Sequence, residues 1–183
     1  MKGKIMALAA AAVACVLLLQ PPQAAAQAQL NIAVIDPQLL LQNSEAGKSI
    51  RTQLDKLRAS DERALKAQQD NVTKLDQALV QQGSSLPAAE YQKRAQDLRQ
   101  KALDLQRDAQ TREAKLEAAY RGAAQKLEQG IEQVLVELVK EKGYQFVLRR
   151  AAIMGGGNLP DVTPEVLNRI NQRMPTVAVD LPK

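Results

Sequence analysis

The sequence lacks histidine and tryptophan, and its single cysteine is Cys15. Histidine is the commonest general base and metal ligand, and the cysteine thiolate is a common nucleophile, so the usual parts of many active sites are absent. Aromatic residues are scarce, because the chain has only three tyrosines and one phenylalanine. We therefore expect no catalytic residue, no metal site and no cofactor. The composition favours a protein that holds another molecule over an enzyme.

The N-terminal residues have the pattern of a secretion signal. Lys2 and Lys4 precede an uncharged apolar run at 5–19, and small residues suited to cleavage follow at 24–28. The run is short for a membrane span, which favours a cleaved signal peptide over the alternative of a retained N-terminal anchor. We expect cleavage after residue 28 and export of a mature chain that begins at Gln29.

The mature chain is expected to contain neither a lipid anchor nor a disulfide. Cys15 lies inside the apolar run, whereas a lipoprotein needs its cysteine at the end of that run. Loss of Lys2 and Lys4 leaves 23 basic and 20 acidic residues, so the formal net charge falls from +5 to +3. Charges of both signs alternate along the predicted helices, which is typical of a solvated surface. Nucleic-acid binders have a stronger basic bias, so we expect no nucleic-acid partner.

Residues 44–142 have the pattern of one long helical hairpin. The stretch 60–121 is rich in Ala, Gln, Leu and charged residues, and Pro87, which follows Gly83-Ser84-Ser85-Leu86, is its only proline. Such a composition favours helix everywhere except at this point. Apolar residues recur at steps of three and four, as in a coiled coil. We predict two antiparallel helices, 44–82 and 88–142, with a turn near 83–87.

The second helix is predicted to be the longer one. A turn centred between Ser84 and Ser85 places Ser44 opposite about Gln125, so the second helix extends about 26 Å further at roughly 1.5 Å per residue. This extension contains the most apolar run of the mature chain, at 131–139. We therefore expect a compact head that carries a thin arm, and two such helices are too thin to enclose a catalytic pocket.

Short strands are predicted on both sides of the hairpin. Residues 31–36 and 144–150 are rich in alternating and β-branched residues, which is typical of strands. A second strand within 151–159 remains open, because the glycines at 155–157 interrupt it. The predicted head therefore consists of residues 29–43 and 143–174.

Several residues have the character of helix ends. Asp36 and Pro37 predict the start of a short helix, and Gly143 predicts the end of the second long helix. Thr163 as N-cap, followed by Pro164, predicts a last helix that reaches about residue 174. Residues 175–183 are expected to form a mobile tail.

The order of these pieces resembles the Skp/OmpH family of periplasmic chaperones for outer-membrane proteins. The matching pieces are IAVID at 32–36, SEAGK at 44–48, the charged hairpin, GYQFVL at 143–148 and DVTPEVLN at 161–168. Each piece is short and structural, but their order covers nearly the whole mature chain. The glycine-rich segment 155–158 departs from the family's best-known members.

The resemblance implies a homotrimer in the periplasm. Strands of three chains would build a small β-barrel body, and three helical hairpins would project from it around a central cavity. Unfolded outer-membrane proteins would be held in this cavity without ATP. The expected fold class is therefore mainly α with a small β head, and the resemblance carries over no catalytic residue.

Oligomerisation is also expected from the residues themselves. A few short strands in one chain cannot form a closed sheet, and pooling strands from several copies removes the open edges. We predict that the copies meet through apolar strand residues, namely Ile32, Val34, Phe146, Val147 and Leu148.

Basic residues of the second helix are candidate contacts for unfolded clients or for anionic lipid. These residues are Lys93, Arg94, Arg99, Lys101 and Arg112. Arg112 falls on the predicted helix seam, so it could face a cavity, a partner chain or solvent. The alternative for all of them is a solvated face with weak ion pairs.

Two other functions stay open at this point. A periplasmic adaptor or envelope-spanning coiled coil has a comparable hairpin, but the residues outside the hairpin leave little room for its additional β-domains. An exported polyanion binder is weakly indicated by the sequence pI of about 9.4 and would show steep salt dependence. The glycines at 155–157 lack the Lys-Ser/Thr of a phosphate loop, so we expect an ordinary loop there.

Overall fold

The computed structural model describes residues 30–155 and 157–182. The predicted secretion signal and its cleavage site lie outside the described residues. In chain order the elements are β1 (Ile32–Ile35), α1 (Pro37–Asn43), α2 (Glu45–Gln82), α3 (Ala88–Lys142), β2 (Phe146–Arg149), a 3₁₀ turn (Arg150–Ala152) and α4 (Thr163–Arg173). The predicted mainly helical fold with a small sheet is confirmed. None of the helices in the described ranges combines the length and the apolar character that a membrane span needs.

The two long helices form the predicted antiparallel hairpin. α2 has 38 residues and α3 has 55, and their ends agree with the predicted ends to within one residue. Ser44 caps α2, because its Oγ accepts a hydrogen bond from the Gly47 amide at 3.0 Å. Gly143 ends α3 with a φ of 67°, a left-handed conformation that glycine adopts without a Cβ penalty.

The two helices pair differently from the register that a symmetric turn predicts. A symmetric turn would place Gln68 opposite Lys101, but Gln68 Nε2 donates to Asp108 Oδ2 at 3.1 Å. The Gln68–Asp108 contact departs from the symmetric pairing by seven residues and the Asp61–Arg112 contact by four, so the predicted register is wrong by about one to two helical turns. Gly83 keeps helical backbone angles, with φ of −57° and ψ of −33°, so the helical path continues for one residue beyond the formal end of α2.

The hydrophobic core lies at the end of the hairpin that carries the sheet and α4. Its buried members are Ala33, Ile35, Leu40, Ala46, Ile50, Ala123, Leu127, Ile131, Val134, Leu138, Val162, Val166, Ile170 and Val177. Five of them belong to α3 at steps of three and four, so one face of this helix forms the centre of the core. We call residues 51–115 the arm and the remaining described residues the head.

The sheet pairs β1 with β2 in parallel, so the entire hairpin is the crossover between the strands. The register runs from Ile32 beside Phe146 to Ile35 beside Arg149. On its other side, β1 forms one further parallel bridge between Val34 and Asp161. β1 is therefore the central strand, and β2 has an open edge within the part of the chain that the structure describes.

The possible second strand within 151–159 is not formed in the described residues. The chain passes from β2 into the 3₁₀ turn, and only its return near Asp161 contacts β1. The Val34 amide donates to the Pro160 carbonyl at 2.8 Å, and the Val162 amide donates to the Val34 carbonyl at 2.9 Å. The glycine-rich segment therefore acts as a loop that brings a single bridge to the sheet.

The start of α4 differs from the prediction. Thr163 belongs to the helix and is buried, and Val162 occupies the N-cap position. The Thr163 hydroxyl oxygen accepts a hydrogen bond from the Asp36 amide at 2.9 Å, and Asp161 Oδ1 accepts one from the Thr163 amide at 2.9 Å. The predicted capping role is wrong, because this side chain links α4 to the end of β1.

The C-terminal segment is not a free tail within 175–182. Val177 is only 6% exposed and belongs to the core, and Val179 packs against it. Gln53 donates from Nε2 to the Val177 carbonyl at 2.7 Å and accepts at Oε1 from the Val179 amide at 3.1 Å. The expectation of a mobile tail overlooked the two valines, whose spacing gives an extended segment one apolar face.

Ion pairs hold α4 against the end of α3. Arg173 lies 2.5 Å from Glu137, and Arg169 lies 2.6 Å from Glu141 and 2.7 Å from Glu165. Hydrogen bonds from Arg173 and Arg169 hold the pKa values of Glu137 and Glu141 below the usual range of glutamate. These carboxylates therefore stay ionised at neutral pH, and acidification below the usual range of glutamate weakens the pairs.

Candidate functional site

The arm differs from the head in how little of it is buried. The structure describes all of residues 51–115, and Leu79 is the only one of them that is buried, with 8% of its surface exposed. Apolar side chains of the arm are half-buried, as at Leu54, Leu57, Leu65, Val72, Leu98 and Leu105. The arm therefore presents a long surface on which apolar spots alternate with charged residues.

Near the turn, α2 and α3 leave an open cleft of about 300 Å³. Its lining combines apolar and charged side chains, namely Leu75, Ala78, Leu79, Gln82, Arg94, Asp97, Leu98 and Lys101. Two of the predicted contact residues, Arg94 and Lys101, thus stand at one cleft. Lys93 and Arg99 are exposed on α3 outside its lining.

Arg94 is fixed at the rim of this cleft by both helices. Its Nε donates to Glu90 Oε1 at 2.9 Å, and its Nη1 donates to Gln82 Oε1 at 2.9 Å. The Gln82–Arg94 and Gln68–Asp108 contacts are 14 residues apart on each helix. The two helices therefore stay in one register along this half of the arm.

Arg112 joins the two helices of the arm. Its Nη1 lies 2.5 Å from Asp61 Oδ1, and its Nε lies 3.0 Å from Asp108 Oδ2 in an ionic contact that is not aligned as a hydrogen bond. Asp61 and then Asp108 raise the pKa of Arg112, while Arg112 and then Gln68 lower the pKa of Asp108. The structure thus places Arg112 in an internal ion pair, and not with the exposed cations near the turn.

Replacing Arg112 with alanine is expected to lower the free energy of unfolding by about 1 kcal/mol or less at neutral pH, the scale of partly exposed ion pairs. The pKa of Asp108 is depressed in the folded chain, so the contribution is present above the unfolded pKa of about 3.9 and is lost as the pH falls through the folded value. Urea unfolding followed by circular dichroism at pH 7 and pH 3 would measure both effects.

The matched control for this variant is Arg107→Ala. Arg107 contacts Asp104 of the same helix at 3.6 Å, and both side chains are more than half exposed. This variant should change stability less than Arg112→Ala does. Equal effects of the two variants at pH 7 would contradict an interhelical role for Arg112.

Four of the five predicted oligomer contacts share the outer face of the sheet. Ile32, Val34, Phe146 and Leu148 alternate with residues that face the core. Phe146 is 55% exposed and Leu148 is 40% exposed, whereas Val34 is buried. Val147 lies on the opposite face and packs against the core. The exposed apolar area is therefore concentrated on β2, the strand with the open edge.

The arm and the sheet face offer many weak, non-covalent contacts. Within residues 30–155 and 157–182, no group of three or more metal-binding side chains is arranged to hold an ion. The cleft near the turn is open, and its charged rim faces solvent. The chemistry available along the arm is therefore the contact of apolar and charged side chains with another molecule.

Comparison with known proteins agrees with this architecture. The family model described as outer membrane protein (OmpH-like) matches residues 31–170. A "Skp-like protein" of Pseudomonas aeruginosa is 30% identical over 145 residues, which cover 79% of this chain and 86% of that protein. A crystal structure from Caulobacter crescentus, described as an OmpH-like outer membrane chaperone, has the same fold. It has a TM-score of 0.79 at 19% identity and covers 85% of this chain and 92% of the other. This chain therefore belongs to the OmpH-like outer membrane protein family.

Proposed function

We propose that this protein is an ATP-independent holdase chaperone of the periplasm, which keeps unfolded outer-membrane proteins from aggregating. Membership of the OmpH-like family supports the proposal, as does the description of the Caulobacter relative as an outer membrane chaperone. The predicted secretion signal accords with a periplasmic location. The observation that carries the proposal is the exposure of the arm.

The arm has the surface that a holdase needs. Its half-buried leucines and valines each leave part of their apolar area in water, and charged residues separate them. Full burial of one such side chain stabilises by roughly 1.5–3 kcal/mol, so partial contacts contribute less each. Several contacts together hold an unfolded chain, while each one breaks and reforms without an energy source. The interspersed charges limit contact between the arms themselves.

We propose a homotrimer as the working assembly. The number three comes from the family resemblance, and the exposed outer face of β2 supports contact between copies. Phe146 and Leu148 are the side chains we expect to be covered there, next to an open strand edge. Three arms around a common axis would enclose a cavity that a single hairpin cannot form.

The exposed cations of α3 are proposed to contribute contacts with clients or with anionic lipid. Lys93, Arg94, Arg99 and Lys101 are all exposed, and two of them line the cleft near the turn. Replacement of any one of them should change client affinity by less than about 1 kcal/mol. Arg112 contributes mainly by holding the arm together, since its guanidinium is engaged with Asp61 and Asp108.

Shortening the arm in register is expected to reduce holding without loss of assembly. The internal deletion removes 69–75 from α2 and 101–107 from α3, which brings Asp76 next to Gln68 and Gln100 next to Asp108. The register is kept because the cross-helix contacts are equally spaced on both helices. Suppression of aggregation of a urea-unfolded outer-membrane barrel protein should fall several-fold, and light scattering should give an unchanged oligomer.

The control deletion removes 69–75 alone, which puts the two helices out of register by seven residues. It should lower the helical content and the unfolding midpoint of the arm, whereas the paired deletion should not lower them. Full holding by the paired deletion would contradict the arm as the client surface. Absence of any suppression by the unaltered chain would contradict the proposed function itself.

A further inference from the structure

The C-terminal segment occupies a groove at the junction of arm and head. We call residues 175–182 the strap. It runs in extended conformation past the head-proximal ends of α2 and α3, and its contacts come from Gln53 on the first helix and Lys126 on the second. The strap therefore shows what kind of segment this groove accepts.

The groove recognises the backbone of the strap through one side chain. Gln53 Nε2 donates to the Val177 carbonyl at 2.7 Å, and Gln53 Oε1 accepts from the Val179 amide at 3.1 Å. These are the two groups that the edge of a β-strand offers, two residues apart. Ser49 fixes the clamp, because its Oγ accepts from Gln53 Nε2 at 3.0 Å. These hydrogen bonds require an extended backbone, and they do not depend on the side chains that point away from Gln53.

The groove also selects an apolar residue every second position. Val177 enters the core and is 6% exposed, Val179 is half-buried, and Ala178 between them is exposed. At the end of this pattern, Asp180 Oδ2 lies 2.8 Å from Lys126 Nζ. The occupant is thus an extended segment with alternating apolar and outward-facing residues, followed by an acidic group.

An open cleft lies directly beside the strap. It has a volume of about 350 Å³ and lies between α3 and the strap, where it is lined by Gln129, Gly130, Gln133, Thr176, Val177 and Ala178. An incoming chain therefore reaches the strap from this side without first opening the helices. The strap is held by the buried Val177, the half-buried Val179, two hydrogen bonds to Gln53 and one exposed ion pair, all of which a competing extended segment could replace.

We propose that this groove is a binding site for an extended, alternating apolar segment of an unfolded client, and that the strap is its internal occupant, which the client displaces. The inference rests on the proposed function for the identity of the client. Strands of outer-membrane barrels alternate between apolar and polar residues, and this is the pattern that the strap presents. The client segment would take the place of Val177 and Val179 and would bond to Gln53 through its backbone.

Amide hydrogen exchange in the full mature chain tests the displacement. The Val179 amide is protected by Gln53 in the free protein. Addition of a urea-unfolded eight-stranded outer-membrane barrel protein should speed exchange at 177–180 at least several-fold, while exchange in β1 stays unchanged. Unchanged or slower exchange of the strap in the presence of bound client would overturn the proposal.

A second experiment tests the groove without any client. The probe is a fluorescent peptide with the strap sequence PTVAVDLP, and its binding is followed by anisotropy. Val177→Asp should release the strap and raise the affinity for the peptide about tenfold or more over the unaltered chain. Ala178→Asp, a change at an exposed neighbour, should leave the affinity unchanged. Adding Gln53→Ala to Val177→Asp should weaken binding about twenty-five-fold, since two hydrogen bonds are lost and each corresponds to roughly a factor of five.

A chain that ends at Met174 replaces Val177→Asp if that variant does not fold, and the same increase in affinity is expected. Equal peptide binding by the opened and unaltered chains would overturn the groove as a binding site. The peptide result is independent of holding, so a chain that binds the peptide but fails to suppress aggregation would contradict the proposed function and leave the groove supported.

Discussion

Gly47→Ala is expected to destabilise the head by about 3 kcal/mol or more, the scale of severe overpacking against atoms that cannot yield. A Cβ at this position would lie 1.8 Å from the carbonyl oxygen of Leu41 and 2.9 Å from its carbonyl carbon. These are backbone atoms near the end of α1, so relief requires the corner between α1 and α2 to open. Urea unfolding monitored by circular dichroism would measure the loss.

The chain offers a matched control in a second helical glycine. Apart from the adjacent backbone of its own helix, Gly122 of α3 has no atom within 4 Å of the position that a Cβ would take. Gly122→Ala should therefore stabilise by roughly 0.5–1 kcal/mol, because alanine is the better helix former. A Gly47→Ala variant as stable as the unaltered chain would contradict the close approach of α1 and α2.

Gly130 provides an intermediate case in the same series. Its Cβ would lie 2.9 Å from Met174 Cε and 3.2 Å from Ile170 Cδ1, both at the far ends of flexible side chains. Gly130→Ala should therefore cost less than Gly47→Ala and more than Gly122→Ala. The order of the three changes in unfolding free energy distinguishes a backbone contact at Gly47, a side-chain contact at Gly130 and open space at Gly122.

The ends of the helices were predictable because their signals are local. Asp36 caps α1 by accepting from the Leu39 amide at 3.0 Å, and Ser44 caps α2 in the same way. Gly143 takes the left-handed conformation that a helix end requires. In each case the capping residue lies within four positions of the backbone group with which it bonds, so the local sequence is enough to predict the end of the helix.

Contacts between distant segments were not predictable in this way. Thr163 bonds to Asp36, which lies 127 positions away, and Gln53 bonds to Val177, which lies 124 positions away. The partner of Arg112 on α2 is Asp61, 51 positions away, and it depends on the register of the hairpin. The sequence was therefore sufficient to locate the charged arm, whereas the pairing of its charges required the fold.

Leu148→Asp is expected to convert the proposed trimer to a monomer while leaving the chain folded. The Leu148 side chain is 40% exposed on the outer face of the sheet, beside Phe146, which is 55% exposed. A carboxylate placed in an apolar contact without a partner costs several kcal/mol. About 3 kcal/mol at each contact lowers the association constant more than a hundredfold per contact. Light scattering at micromolar concentration would measure the mass.

The controls separate assembly from folding. Leu103→Asp places the same charge on a leucine of the arm that is 49% exposed, so it should leave the oligomer intact. Val147→Asp should lose both the oligomer and stability, because Val147 packs against the core on the opposite face of the sheet. A Leu148→Asp variant that stays trimeric would exclude the outer face of β2 as the contact. An unaltered mature chain that is monomeric at micromolar concentration would contradict the trimer itself, and the client surface would then be a single hairpin, since one arm alone cannot enclose a cavity.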